Sequence, residues 1–153
     1  MIRLDNKNLK ALLAANFAPS DLVVTLAYAD ASRPKTFCAA ENRIKLFIRC
    51  LSDERRADGR ELKYVYVTDS AFSYCYLHHH LILNATGQDY DTIRRLWSKN
   101  GDYIEFSLIR DKGYDGWARF LSKAQRGPML HWVNEDVDKL GILRYSEGCD
   151  ASE

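Results

Sequence analysis

A chain of 153 residues, 46% of them hydrophobic, is long enough for one domain with a real core and too short for two. Its 22 Lys and Arg against 21 Asp and Glu give no overall charge that would demand nucleic acid or a membrane as partner. No segment approaches the roughly 20 apolar residues of a membrane span, Met1–Lys10 has no signal-peptide core, and Cys38, Cys50, Cys75 and Cys149 show neither C-x-x-C pairing nor framework spacing, so the expected setting is cytoplasmic with reduced thiols.

Leu9, Leu12, Leu13 and Phe17 recur at helical spacing and predict a short amphipathic helix ending before Pro19. Leu22 to Tyr28, reading LVVTLAY, is strand-like in its β-branched and aromatic content. From about Pro34 to Arg56, the positions Phe37, Ala40, Ile44, Phe47, Ile48 and Leu51 define a long helix with one buried stripe. Arg43, Lys45, Arg49, Arg55 and Arg56 are assigned to its solvated face, and Asp58-Gly59 closes it. Glu61 to Asp69 alternates as a second strand, Ser70 to Tyr76 is a loop, and Leu77 to Asn84 is a third strand, most simply paired with the second as a hairpin. Tyr90, Ile93, Leu96 and Trp97 form the stripe of the next helix, stopped at Asn100-Gly101. Tyr103 to Arg110 is a fourth strand and Gly113 to Gln125 a last helix. The order after the first helix is β-α-β-β-α-β-α, which predicts an α+β fold, the ferredoxin-like split βαβ (βαββαβ) with a central antiparallel sheet and extra N- and C-terminal helices. The whole of 1–153 reads as one domain, with its core at about 20–126 and a C-terminal extension at 127–153.

The candidate chemistry centres on His78, His79 and His80, which run into the apolar Leu81-Ile82-Leu83. On a strand, His78 and His80 share one face while His79 points to the other. A hairpin in which paired residue numbers sum to 147 would set Asp69 opposite His78 and Val67 opposite His80. Two imidazoles and a carboxylate then meet, a set that holds a divalent ion with positions left open. Asp69 is equally the turn-initiating residue that its type favours. Cys75 offers an alternative, a zinc site with His78 and His80. On the last helix, Tyr114, Trp117, Ala118 and Leu121 make the buried stripe, while Phe120 and Lys123 share a flanking face.

The strand HHHLIL (His78 to Leu83), the segment KYVYVTD that ends on Asp69, the strand VVTLAY and the helix segment FLSK (Phe120 to Lys123) together resemble the HUH endonucleases, specifically the rolling-circle replication initiators, or Rep proteins. The resemblance runs from Leu22 to about Arg126. It implies that His78 and His80 bind Mn2+ or Mg2+, with Asp69 at the acidic ligand position, commonly Glu in the family. His79 stands at the normally hydrophobic middle position. Family members carry Tyr-x-x-Lys in the last helix, where this chain has Phe120, so the nucleophilic hydroxyl is missing while Lys123 is kept. The implied activity is nicking and rejoining of single-stranded DNA at an origin hairpin or its flank during plasmid or phage replication, in a form that is cleavage-dead through engineering or natural loss. The alternative is a non-catalytic single-stranded nucleic-acid-binding regulator of a mobile element.

Arg94 to Arg126 holds eight basic residues against four acidic, which suggests where a nucleic acid would lie. Arg94, Arg95, Lys99, Arg110, Lys112, Arg119 and Arg126 are the candidate phosphate contacts. Exposed members of Tyr64, Tyr66, Tyr74 and Tyr76 are the candidate stacking rings.

Overall fold

A computed structural model describes residues 6–70, 77–84 and 89–124. Their elements in chain order are α1 (Asn6–Asn16), β1 (Leu22–Leu26), α2 (Phe37–Ala57), β2 (Tyr64–Ser70), β3 (Leu77–Leu83), α3 (Asp89–Trp97), β4 (Ile104–Leu108) and α4 (Ile109–Ala124). The strands form one antiparallel sheet in the order β2-β3-β1-β4, the α+β split βαβ arrangement expected from the element order.

Side-chain parity sorts the sheet into two faces. Tyr66, Thr68, His79 and Leu81 face the layer of α2 and α3, where Glu41 accepts hydrogen bonds from Tyr66 and Thr68, and Trp97 packs its ring against His79. Val67, Asp69, His78, His80 and Thr25 face the other way, towards α4, whose Phe120 ring meets that of His80. Helix α1 is tied to α4 through the Tyr114 hydroxyl, which donates to the Phe17 carbonyl at 2.5 Å. Both faces are therefore covered over β2 and β3, and Tyr64, Val65, Tyr66 and Val67 are all fully buried. That burial removes Tyr64 and Tyr66 from the set of stacking rings.

Several boundaries differ from the sequence expectation for local reasons. Helix α2 starts at Phe37 rather than Pro34, because Thr36 in an extended conformation caps it, its hydroxyl accepting from the Ala39 amide at 3.1 Å. β4 stops at Leu108, where the Asp111 carboxylate takes the Leu108 amide at 2.8 Å and turns the chain into a first helical segment. That segment ends at Gly113, whose φ of 72° and ψ of 171° break α4 before its main run. Tyr90, assigned to a buried stripe, is exposed and meets the Phe106 ring edge-on instead.

Arg55 is the largest departure. Assigned to a solvated face, it is 1% exposed and bonds Asp89 at 2.8 Å and both the carbonyl and the side-chain oxygen of Asn84 at 2.5 Å. It continues the stripe of Ile44, Ile48 and Leu51 at helical spacing, so its charge is carried inward and met there. Burial lowers its pKa, and the Asp89 charge opposes that shift.

Candidate metal centre

The β2–β3 register pairs Asp69 with His78 and Val67 with His80, as the hairpin sum predicts. Ligand-capable atoms of Asp69, His78 and His80 all lie within 4.8 Å of one another, and the cluster could hold a metal ion. The two Nε2 atoms are 3.1 Å apart, and Asp69 Oδ2 is 3.9 Å from His78 Nε2. With metal–nitrogen bonds of about 2.1 Å, neighbouring ligands stand about 3.0 Å apart at right angles and about 3.4 Å apart in a tetrahedron. The histidine pair falls between these two values, and Asp69 stands beyond both. The Asp69 side chain is 31% exposed, on the open side of the pair.

His80 is oriented from behind. Its Nδ1 lies 3.1 Å from the Thr25 hydroxyl on β1, and the β1–β3 register sets these two residues directly opposite each other. With Nδ1–H donated to Thr25, the Nε2 lone pair is left facing His78, as a metal ligand requires. Burial, helped by the nearby His78, pushes the His80 pKa down to about 3, so the ring is held in the neutral, ligating form.

His79 is fully buried on the reverse face and takes no part in the cluster. The Thr68 hydroxyl has one proton and gives it to Glu41 Oε1 at 3.0 Å, so the 2.7 Å contact of Thr68 with His79 Nδ1 runs from the ring N–H to the oxygen. His79 Nε2 then accepts from the Tyr28 hydroxyl at 2.6 Å. Both nitrogens are satisfied in one neutral tautomer, inside a cage formed with the rings of Tyr28 and Trp97. Burial, with His78 and His80 adding to it, lowers the His79 pKa to about 3, and burial raises that of Tyr28 far above its ordinary value.

A pH dependence of stability follows. Between about pH 6.5 and pH 3 the unfolded chain binds protons that the folded His79 and His80 refuse, so stability is full above about 6.5 and falls as pH drops below it. With metal removed by chelation, urea unfolding at pH 5 should show a loss on the order of 2–4 kcal/mol relative to pH 8. A flat profile between those values would contradict the buried neutral rings.

The Phe120 ring is half-buried and lies edge-on to His80 with centroids 4.8 Å apart, and Trp117 backs it at 5.7 Å. Trp117 is pinned by its indole N–H, which reaches the carbonyls of Leu108 and Ile109. Lys123 is on the same helix, one turn on.

The proposed phosphate contacts are not brought to one surface. Arg119 is exposed on α4 and paired with Asp115 at 2.5 Å. Arg94 and Arg95 lie on α3, across the sheet from the cluster, where Arg94 stands over the Phe106 ring and Arg95 pairs with Glu54 of α2. Lys99 is exposed beside them in the turn after α3. Arg126, Tyr74, Tyr76, Cys75 and Cys149 lie outside the described residues, and the zinc alternative that needs Cys75 falls there as well. Cys38 and Cys50 are free thiols. The exposed ring near the cluster is Tyr103, 62% accessible, which lines a cleft with Ala27, Arg33 and His78.

The sequence showed neither the partners Thr25, Thr68, Glu41 and Tyr28 nor the placing of Lys112 beside Phe120. Thr25 was recoverable, since the expected plan puts β1 beside β3. The Thr68–Glu41–Tyr28 cage depends on where α2 settles, and Lys112, which reaches over Phe120, depends on the break at Gly113. No helix of the described residues is long and apolar enough to cross a membrane. In comparison with known proteins, no family model matches the chain, and no curated protein or solved structure matches it either.

Proposed function

We propose that this chain is a metal-dependent HUH-type endonuclease domain of the replication-initiator kind, which binds single-stranded DNA at an origin hairpin or its flank and lacks the nucleophilic hydroxyl. The observation that carries this reading is the contact of the Phe120 ring with His80, a member of the Asp69–His78–His80 cluster. Three separately placed motifs, on β2, β3 and α4, meet at one point of the fold.

His78, His80 and Asp69 would hold Mn2+ or Mg2+, and Thr25 fixes the imidazole of His80. The ion, when bound, polarises the scissile phosphodiester and offsets charge in the transition state. A tyrosine at position 120 would attack phosphorus through its oxygen, forming a 5′-phosphotyrosine bond as the bond to the 3′ oxygen breaks. The phenolic proton is lost and the leaving oxygen gains one. Phenylalanine supplies the ring without the oxygen. Lys123 is the residue assigned to offset charge at that phosphate. Tyr114 does not substitute, because its hydroxyl is committed to the Phe17 carbonyl. Tyr103, in the cleft beside His78, suits the next nucleotide by stacking.

The test is Phe120→Tyr. With Mn2+ and a panel of single-stranded origin hairpins, the variant should give a covalent protein–DNA adduct and a free 3′-OH, both abolished by chelation, while the unaltered chain binds without cleaving. If the variant forms no adduct across the panel, the endonuclease reading falls. Phe120 itself favours a second reading, a non-catalytic single-strand-binding regulator of a mobile element. Metal-dependent binding that persists while Phe120→Tyr stays inert would select it.

A further inference from the structure

Lys112 has no place in the motifs above, yet it is the cation nearest to residue 120 among the described contacts. Its Nζ lies 5.6 Å from the centre of the Phe120 ring and 5.3 Å from that of Trp117. Two glycines make this possible. Gly113, at φ 72°, breaks the helix immediately after Lys112 and turns the preceding segment across the main run of α4. Gly116 then leaves space for the lysine stem, since a Cβ added there would stand 2.8 Å from Lys112 Cβ. The result is a shallow groove lined by Lys112, Gly116, Arg119 and Phe120, next to the ring that touches His80. Asp115 already pairs with Arg119, so of the described residues lining the groove Lys112 is the cation that remains for an anion.

We infer that Lys112 and its groove seat a backbone phosphate of single-stranded DNA, adjacent to the phosphate held at the metal cluster. The inference rests on the nucleic-acid reading proposed above. The chemistry fits a backbone phosphate better than a base. The groove offers an ammonium and a glycine that permits close approach, with the Arg119 guanidinium held at its rim by Asp115, and its one aromatic wall is already covered by His80, Trp117 and Lys112. A strand entering along this groove reaches the cluster past residue 120, so the seat sets the direction in which the strand crosses the site.

The experiment measures binding of a fluorescein-labelled 20-nucleotide single strand in Mn2+ by anisotropy, from 50 to 300 mM NaCl. Each phosphate contact on a single strand contributes about 0.7 to the slope of log K against log salt. Lys112→Met should lower the slope by about that amount and weaken binding several-fold at the lowest salt. Lys45→Met, on α2 across the sheet, should leave the slope unchanged. Gly116→Ala should weaken binding in the same direction and lower the thermal midpoint, because its Cβ would stand 2.8 Å from Lys112 Cβ, the near end of the stem, and the chain must shift to admit it. A simple packing role for Lys112 would not change the salt slope. If the unaltered chain binds and Lys112→Met keeps its slope, the seat is refuted and the nucleic-acid reading stands. If the unaltered chain does not bind single strands at all, both fall.

Discussion

Replacing His80 or His78 by alanine should lower the affinity for Mn2+ by at least about two orders of magnitude, measured by titration calorimetry on the folded protein. The expectation is set by comparison with Thr25. A residue that only orients a ligand typically costs about 10–100-fold in affinity when lost, so Thr25→Val should fall in that range, and removing the ligand itself should exceed it. The geometry supports this order. The two Nε2 atoms are already spaced for neighbouring positions on one ion, and Thr25 stands where it accepts from His80 Nδ1–H in the tautomer whose Nε2 lone pair faces inward. Asp69 stands farther from His78 and is half-exposed, so Asp69→Asn should cost less than either histidine. Unchanged affinity in His80→Ala would mean that the ion, if bound, sits elsewhere.

Asp89→Ala should destabilise the fold by about 3–5 kcal/mol in denaturant titration, because it strands the Arg55 guanidinium in the interior. The Arg55 and Asp89 side chains are 1% and 2% exposed, and Arg60 also approaches Asp89, at 3.9 Å. A domain of this size has about 5–15 kcal/mol in total, so the variant approaches the limit of folding. The contrast is Asp53→Ala, which breaks the exposed Arg56–Asp53 pair at 3.5 Å and should change stability by less than about 1 kcal/mol. Replacing both members, Arg55→Met with Asp89→Leu, should recover part of the loss, since the apolar pair removes both buried charges but takes the Arg55 donor from the Asn84 carbonyl. A cost below about 1 kcal/mol for Asp89→Ala would show that water reaches the guanidinium.

Most of the fold was legible because apolar spacing carries it. The stripes of α2 and α4 and the alternation of β2 through β4 follow from residue type alone, and the hairpin register followed from one arithmetic assumption that the paired residues satisfy. Arg55 was misplaced because a charged residue on a buried stripe is read as solvated unless its partner is known. That partner, Asp89, is 34 residues away and reads locally only as a helix start. The spread of Arg94, Arg95 and Arg119 over two sides of the sheet was equally hidden, since linear charge density does not record which layer a helix joins. In the candidate site, the residues on strands were readable from parity. Lys112 was readable only as one of seven candidate phosphate contacts, because its place beside Phe120 depends on the Gly113 backbone, which sequence periodicity treats as an ordinary helical position.

The threefold histidine run contains an ambiguity that the reverse-face cage resolves. A slip of β3 by one residue would turn His79 alone towards α4 and drive His78 and His80 into the apolar layer beneath α2 and α3. Identical neighbouring side chains cannot by themselves oppose such an error. Thr68 and Tyr28 do, because together they accept one imidazole in one tautomer and offer nothing to a second. The middle histidine thus acts as an alignment key for the two beside it, so a leucine there would hold the ligands in the correct phase less strictly.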